Sequence, residues 1–153
     1  MHTQTQGLLE QAPRAVAEDG VLSPQTRTWY AIRGATTVEK DEKTEILSAT
    51  RAMLSRILIE NDLTSENIVS AFFVVTRDLT ATYPAEAARQ IGWTEVALLC
   101  ASDMEVTESL PRCVRVLLHV HGVHPHPAVR HVYLGRAASL RPDWAKGTRQ
   151  KAS

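Results

Sequence analysis

Across residues 41–61 the apolar side chains Ile46, Leu47, Met53, Leu54, Ile57 and Leu58 recur at spacings of three and four, which puts them on one face of a long amphipathic helix. Elsewhere the pattern is that of strands. Residues 29–35 alternate apolar and polar positions and run into a glycine, with Arg33 at the C-terminal end of the expected strand. Residues 68–76 form an unbroken apolar run of strand length, as expected at the centre of a sheet covered on both faces. Two more apolar strands are expected over 94–100 and 113–120, a short one over 131–134, and a possible extension of the sheet over 137–140. Between them, Pro84 is placed to open a short helix and Gly92 to close it, with Arg89 riding on that helix. A glycine and two prolines force a loop over 122–127, and residues 101–109 are a polar connection. Strands and helices mix without strict alternation, so the expected fold is an α+β domain with one mixed β-sheet and helices on one face.

Composition narrows the picture further. A chain of 153 residues with 44% hydrophobic content can bury one proper core but not two ordinary ones. Residues 1–28 have no sustained period and read as a mobile N-terminal extension, residues 29–143 as the domain, and residues 144–153 as a polar C-terminal tail. Lysine plus arginine and aspartate plus glutamate balance at 17 each, so no overall field draws the chain to nucleic acid or to an anionic membrane. No stretch approaches the ~20 apolar residues of a membrane helix, and no export signal opens the chain, so the expected address is the cytoplasm. Cys100 and Cys113 are too few for a disulfide framework and read as reduced core thiols.

The chemistry is sparse. Arg115 sits inside the strand 113–120, where a guanidinium that keeps its charge must face an anion, carbonyls or a wet cavity. Two readings stand: an arginine on a half-exposed strand face bonded to a neighbouring carboxylate, or a site for an anionic ligand. Arg33, Arg89, Tyr133 and Arg141 add donors at strand ends and on the short helix, a set suited to a ligand with two carboxylates, because guanidinium forks grip carboxylates at two points. Nucleophile elbows, zinc-protease helices, paired Cys-x-x-Cys and phosphate-cradling glycine loops are all missing. His119 and His121 on one strand face, followed by His124 and His126, could be read as a metal site, but a solvated strand edge is the simpler reading and no metal is expected. Asp103 and Glu105 offer carboxylates within an ordinary polar connection, and Cys100 has no histidine near it in sequence to activate it as a nucleophile.

Taken together, Ile32-Arg33-Gly34-Ala35-Thr36-Thr37-Val38-Glu39, Tyr83-Pro84-Ala85 leading to Arg89, the connection 100–106, Cys113-Val114-Arg115-Val116 and Arg130-His131-Val132-Tyr133-Leu134 ending in Leu140-Arg141-Pro142 resemble the AroH-class chorismate mutases. The resemblance covers about residues 30–143, and its specificity lies in several motifs kept in order with similar gaps. It implies a trimeric pseudo-α/β-barrel whose active sites lie in clefts between subunits, with chorismate rearranged to prephenate on the route to phenylalanine and tyrosine. It also implies roles. Arg115 would address the ether oxygen of the breaking bond and Arg33 and Tyr133 would hold carboxylate, while Cys100, Asp103 and Met104 would line the pocket near the ring, joined by Tyr83, Ala85, Arg89, Leu140 and Arg141. No cofactor is implied, and the partners are chorismate and two further copies of the chain.

Four positions depart from the family pattern: Glu86 stands where lysine is common, Asp103 where glutamate is usual, Tyr83 where phenylalanine is familiar and Leu99 where threonine is. Glu86 matters most, since a carboxylate at a cleft mouth repels a dianion. The rival from another class is a non-catalytic trimeric domain that binds a small anionic metabolite, since fold alone does not fix function.

Overall fold

The computed structural model describes residues 28–122 and 129–145. Most of the expected N-terminal extension, the proline loop with His124 and His126, and the tail from Lys146 onward lie outside the described residues.

The chain runs β1 (Thr28–Thr37), α1 (Lys43–Glu60), β2 (Ile68–Val75), α2 (Ala85–Gln90), β3 (Ala97–Ser102), β4 (Cys113–Gly122), β5 (Val132–Tyr133) and α3 (Pro142–Ala145). The five strands form one mixed sheet in the order β3-β2-β4-β1-β5. The pairs β1–β4 and β2–β4 are antiparallel, and β2–β3 and β1–β5 are parallel. The expected α+β class with one mixed sheet is the observed one. The middle strand is β4 rather than the apolar run of β2, because pairing across the chain, and not apolar content alone, sets strand order.

The core lies between this sheet and the helices. In β4 the alternate residues Val114, Val116, Leu118 and Val120 point inward and are buried against Ile46, Met53, Leu54 and Ile57 of α1. Arg115, Leu117 and His119 point the other way, onto the outer face of the sheet. The expected apolar stripe of α1 is buried except for half-exposed Leu58, and Thr50 joins it. Among the described residues no helix is long and apolar enough to cross a membrane.

Three local expectations are corrected. Strand β1 does not end near its glycine but continues to Thr37, which puts Arg33 in mid-strand. Gly34 serves close packing instead: a Cβ there would lie 2.7 Å from Ile57 Cδ1 and 3.1 Å from Val116 Cγ1, so α1 rests directly on this point of the strand. Strand β3 spans Ala97–Ser102 rather than 94–100, because the turn that follows Gly92 takes up residues 92–96. Residues 137–140 do not extend the sheet. They belong to a 3-10 segment, Gly135–Leu140, that packs Ala137 beside Ala35, Cys113 and Tyr133 in a second small core. The short helix behaves as expected, with Pro84 at its N-cap and Gly92 at φ 93° just past its C-cap.

Candidate active site

The outer face of the sheet gathers most of the charged candidates. Arg115 in β4 pairs with Ala35 of β1 and Val74 of β2, and Ala35 pairs in turn with Tyr133 of β5. Tyr133, Ala35 and Arg115 therefore form one row across three strands, with a side chain no larger than a methyl group between the two functional groups. Arg33 lies two residues back along β1, on the same face.

Asp103 follows the last residue of β3, and its N–H donates to the Val75 carbonyl at 2.8 Å. This bond turns the chain so that the Asp103 carboxylate meets Arg115 Nη1 in an ion pair, while its other oxygen accepts the Met104 N–H at 2.9 Å. The Arg115 side chain is 29% exposed and that of Asp103 18%, so the pair is neither sealed nor washed by solvent. Of the two sequence readings of Arg115, the structure shows the first: it is bonded to a neighbouring carboxylate, and that contact uses one of its five N–H groups.

Tyr133 carries the clearest unfilled demand. Its hydroxyl is buried and has no hydrogen-bond partner. Burial pushes the phenol pKa up, while the charges of Arg33, Arg141 and Arg115 oppose that rise, so at neutral pH the group is a neutral donor among cations. Arg141 is gripped by Asp143 through Nε at 3.0 Å and Nη2 at 2.7 Å, which fixes the plane of its guanidinium and leaves the far edge open. Leu140 packs against the small core beneath Tyr133.

The remaining candidates gather elsewhere. A cleft of about 460 Å³ is lined by Thr80, Tyr83, Pro84, Cys100 and Ser102, among others. Asp41 holds one wall: its carboxylate accepts the Thr80 N–H at 2.9 Å, the Thr80 hydroxyl at 2.7 Å and the Ala81 N–H at 3.0 Å. Tyr83 is 72% exposed at the rim, and buried Ala85 follows it at the start of α2. Burial pushes the Cys100 thiol pKa up, against the opposing effects of the Ala85 backbone and the Arg89 charge, so Cys100 is a neutral thiol and not an activated nucleophile. Met104, 80% exposed, caps the connection beyond Asp103.

The structure thus brings Arg115, Asp103, Arg33, Tyr133 and Arg141 together and sets Tyr83, Ala85, Arg89 and Cys100 apart from them. Cys100 pairs with Phe73 and packs toward the helix side, at the far edge from β5. Four strand spacings, about 19 Å, separate β3 from β5.

Three contributors were not singled out from the sequence. His131 Nδ1 accepts the Arg33 backbone N–H at 3.0 Å. Trp144 stacks on His131 with ring centroids 3.9 Å apart and carries the Arg141 guanidinium 3.3 Å from its ring centre. Asp143 completes the grip on Arg141. A tryptophan just after Arg-Pro-Asp was the only available signal, and it was read with the polar tail. Among the described residues the other two histidines have ordinary partners, His119 hydrogen-bonded to Ser70 Oγ at 2.9 Å and His121 against Trp29. Among the described residues no group of three or more His, Cys, Asp or Glu is arranged to hold a metal ion.

Comparison with known proteins bears directly on this arrangement. The family model for chorismate mutase type I matches residues 29–144. The chain is 43% identical over 113 residues to the chorismate mutase AroH of Bacillus subtilis, covering 73% of this chain and 89% of that protein. It is 50% identical over 113 residues to the chorismate mutase AroH of Thermus thermophilus, covering 73% and 93%. A solved chorismate mutase from Clostridium thermocellum superposes with a TM-score of 0.71 at 42% identity, over 72% of this chain and 98% of that one. With a family match that spans the whole domain and relatives at 43% and 50% identity covered over most of their length, the chain belongs to the chorismate mutase type I family.

Proposed function

We propose that this chain rearranges chorismate to prephenate at a site formed on the outer sheet face around Arg115, Arg33, Tyr133 and Arg141. The observation that carries the reading is the row Tyr133–Ala35–Arg115, which sets a buried hydroxyl without a partner and a half-buried guanidinium on one face of the sheet. A dianion satisfies both. Tyr133 and Arg33 take a carboxylate, Arg141 offers its open edge to the pocket, and Arg115 addresses the ether oxygen.

The rearrangement breaks a carbon–oxygen bond as a carbon–carbon bond forms within one molecule, so no base, nucleophile or water is consumed. The protein holds the two reacting ends close and meets the negative charge that grows on the ether oxygen. Asp103 orients Arg115 and presents a carboxylate oxygen to the substrate hydroxyl. Because Arg115 interacts more strongly with the transition state than with the substrate, it accelerates the reaction and does not merely bind.

We further propose a homotrimer with each site completed by a neighbour. Cys100, Arg89, Tyr83 and Ala85 lie too far from Tyr133 within one chain to share a small substrate with it. The outer face also leaves apolar surface open: Leu99 is 58% exposed and Phe72 37%, beside half-buried Leu117, Val74 and Ala101. The continuous apolar run of β2 makes sense when a second copy covers that face.

Loss of chorismate absorbance in the presence of the purified protein tests the activity, and a rate equal to the uncatalysed one would sink it. Sedimentation tests the assembly: a trimer that loses activity on dilution is expected, and a fully active monomer contradicts it.

A further inference from the structure

Trp144 touches every element of the proposed carboxylate end. Its ring lies 3.3 Å from the Arg141 guanidinium carbon and 5.8 Å from that of Arg33. Its centroid is 5.9 Å from the Tyr133 ring and 3.9 Å from the His131 ring, and His131 in turn accepts the Arg33 backbone N–H. One side chain on the four-residue α3 therefore joins two arginines, the unpartnered phenol and the histidine that braces β1.

We propose that Trp144 is a positioning residue for substrate binding: its face presets Arg141, and through His131 and Tyr133 the end of the pocket that holds carboxylate. This rests on the proposed function above. A free arginine samples many rotamers, and one that must bind a carboxylate loses them on binding. Here the loss is met beforehand. The indole face holds the guanidinium plane by cation–π attraction, Asp143 holds one edge, and the opposite edge stays available. A smaller aliphatic side chain in place of Trp144 fills part of the volume but has no π face, so Arg141 keeps its charge and loses its fixed orientation.

The effect belongs to ground-state and transition-state binding alike, since carboxylate contacts change little as the ether bond breaks. Trp144→Leu is expected to raise KM ~10-fold while kcat stays within ~2-fold of wild type. Trp144→Phe keeps a smaller π face and is expected to fall between the two. In the Arg141→Ala background, Trp144→Leu is expected to raise KM by clearly less than in wild type, because the main residue through which it acts is gone and only its contacts to His131 and Tyr133 remain. An unchanged KM in Trp144→Leu, or KM effects of Trp144→Leu and Arg141→Ala that multiply, would overturn the role. A fall in kcat with KM retained would overturn it too. Wild-type turnover is read in the same assay: its absence removes the proposed function and this inference with it, whereas normal wild-type turnover beside an unaltered Trp144→Leu removes only the role of Trp144.

Discussion

Lys43 Nζ lies 2.9 Å from Glu86 Oε1, so the carboxylate expected from the sequence to repel a dianion is already matched by a lysine from another helix. Hydrogen bonds from Lys43 and then from the Thr82 hydroxyl hold the Glu86 pKa below the usual carboxylate range. The expected repulsion of a dianion is offset by this pair. Lys43→Ala exposes that charge and is expected to raise KM about threefold at low ionic strength, with the effect largely lost near 0.15 M salt. Adding Glu86→Gln to Lys43→Ala should restore KM. An increase that salt leaves untouched would place the pair outside the substrate's field.

Arg115→Ala is expected to cut kcat by at least ~10²-fold, because a preorganised donor at a developing oxyanion contributes on the order of 3 kcal/mol. The fold also pays something, since Asp103 loses its partner while only 18% exposed. A fall in stability of ~1–3 kcal/mol is expected. Arg115→Lys keeps the charge without the planar fork and should recover only part of kcat. Reading kcat and the denaturant midpoint on one sample separates the effects: a normal kcat with a collapsed midpoint leaves Arg115 a structural residue alone.

Asn61 is buried at the end of α1, and its amide donates to the Ile57 and Arg130 carbonyls at 2.8 Å each while its oxygen accepts the Arg130 N–H at 2.7 Å. It thereby fixes the entry into β5, two residues before Val132. Asn61→Ala strands several backbone groups and should cost ~2–4 kcal/mol in chemical denaturation. KM should rise as well, because Tyr133 follows on the loosened strand. Stability within ~0.5 kcal/mol of wild type would show that the segment is held by other means.

Asp41 supports the cleft wall, and the Thr80 hydroxyl lowers its pKa most, with burial opposing and the backbone donors of Ala81 and Thr80 adding to the lowering. A carboxyl whose pKa is depressed in the folded state stabilises it above the unfolded value, and that contribution is lost as pH falls through the folded value. The pH dependence it produces therefore falls below the ordinary aspartate value of 3.8. The group is largely exposed, so the effect is small. Asp41→Asn should flatten the denaturant midpoint against pH in that acidic window and raise KM modestly at neutral pH. An unaltered acid limb would mean that other carboxylates set it.

Local pattern determined a good deal of this protein. The stripe of α1 was legible because each buried side chain lies three or four residues from another, a distance over which one helix face is a property of sequence alone. The same holds for the short helix between Pro84 and Gly92, where backbone restriction acts within a single turn. Arg115 stood out because a cation inside an apolar strand is costly wherever it ends up. The resemblance to the chorismate mutases, carried by ordered motifs, was legible as well. Tertiary structure decided what depends on partners distant in the chain. Gly34 looked like a strand end, and only the approach of Ile57 and Val116 shows that it is a point of contact. Residues 137–140 read as an extension of the sheet because they follow its last strand, but the small core around Tyr133 takes them into a 3-10 segment. Asp41 and Thr80 are 39 residues apart, and His131 and Arg33 are 98 apart, so no local period could join either pair. Trp144 read as part of a polar tail because its neighbours in sequence are polar, while its neighbours in space are two arginines, a tyrosine and a histidine. Periodicity reports which face a side chain occupies, and only the folded chain decides what that face meets.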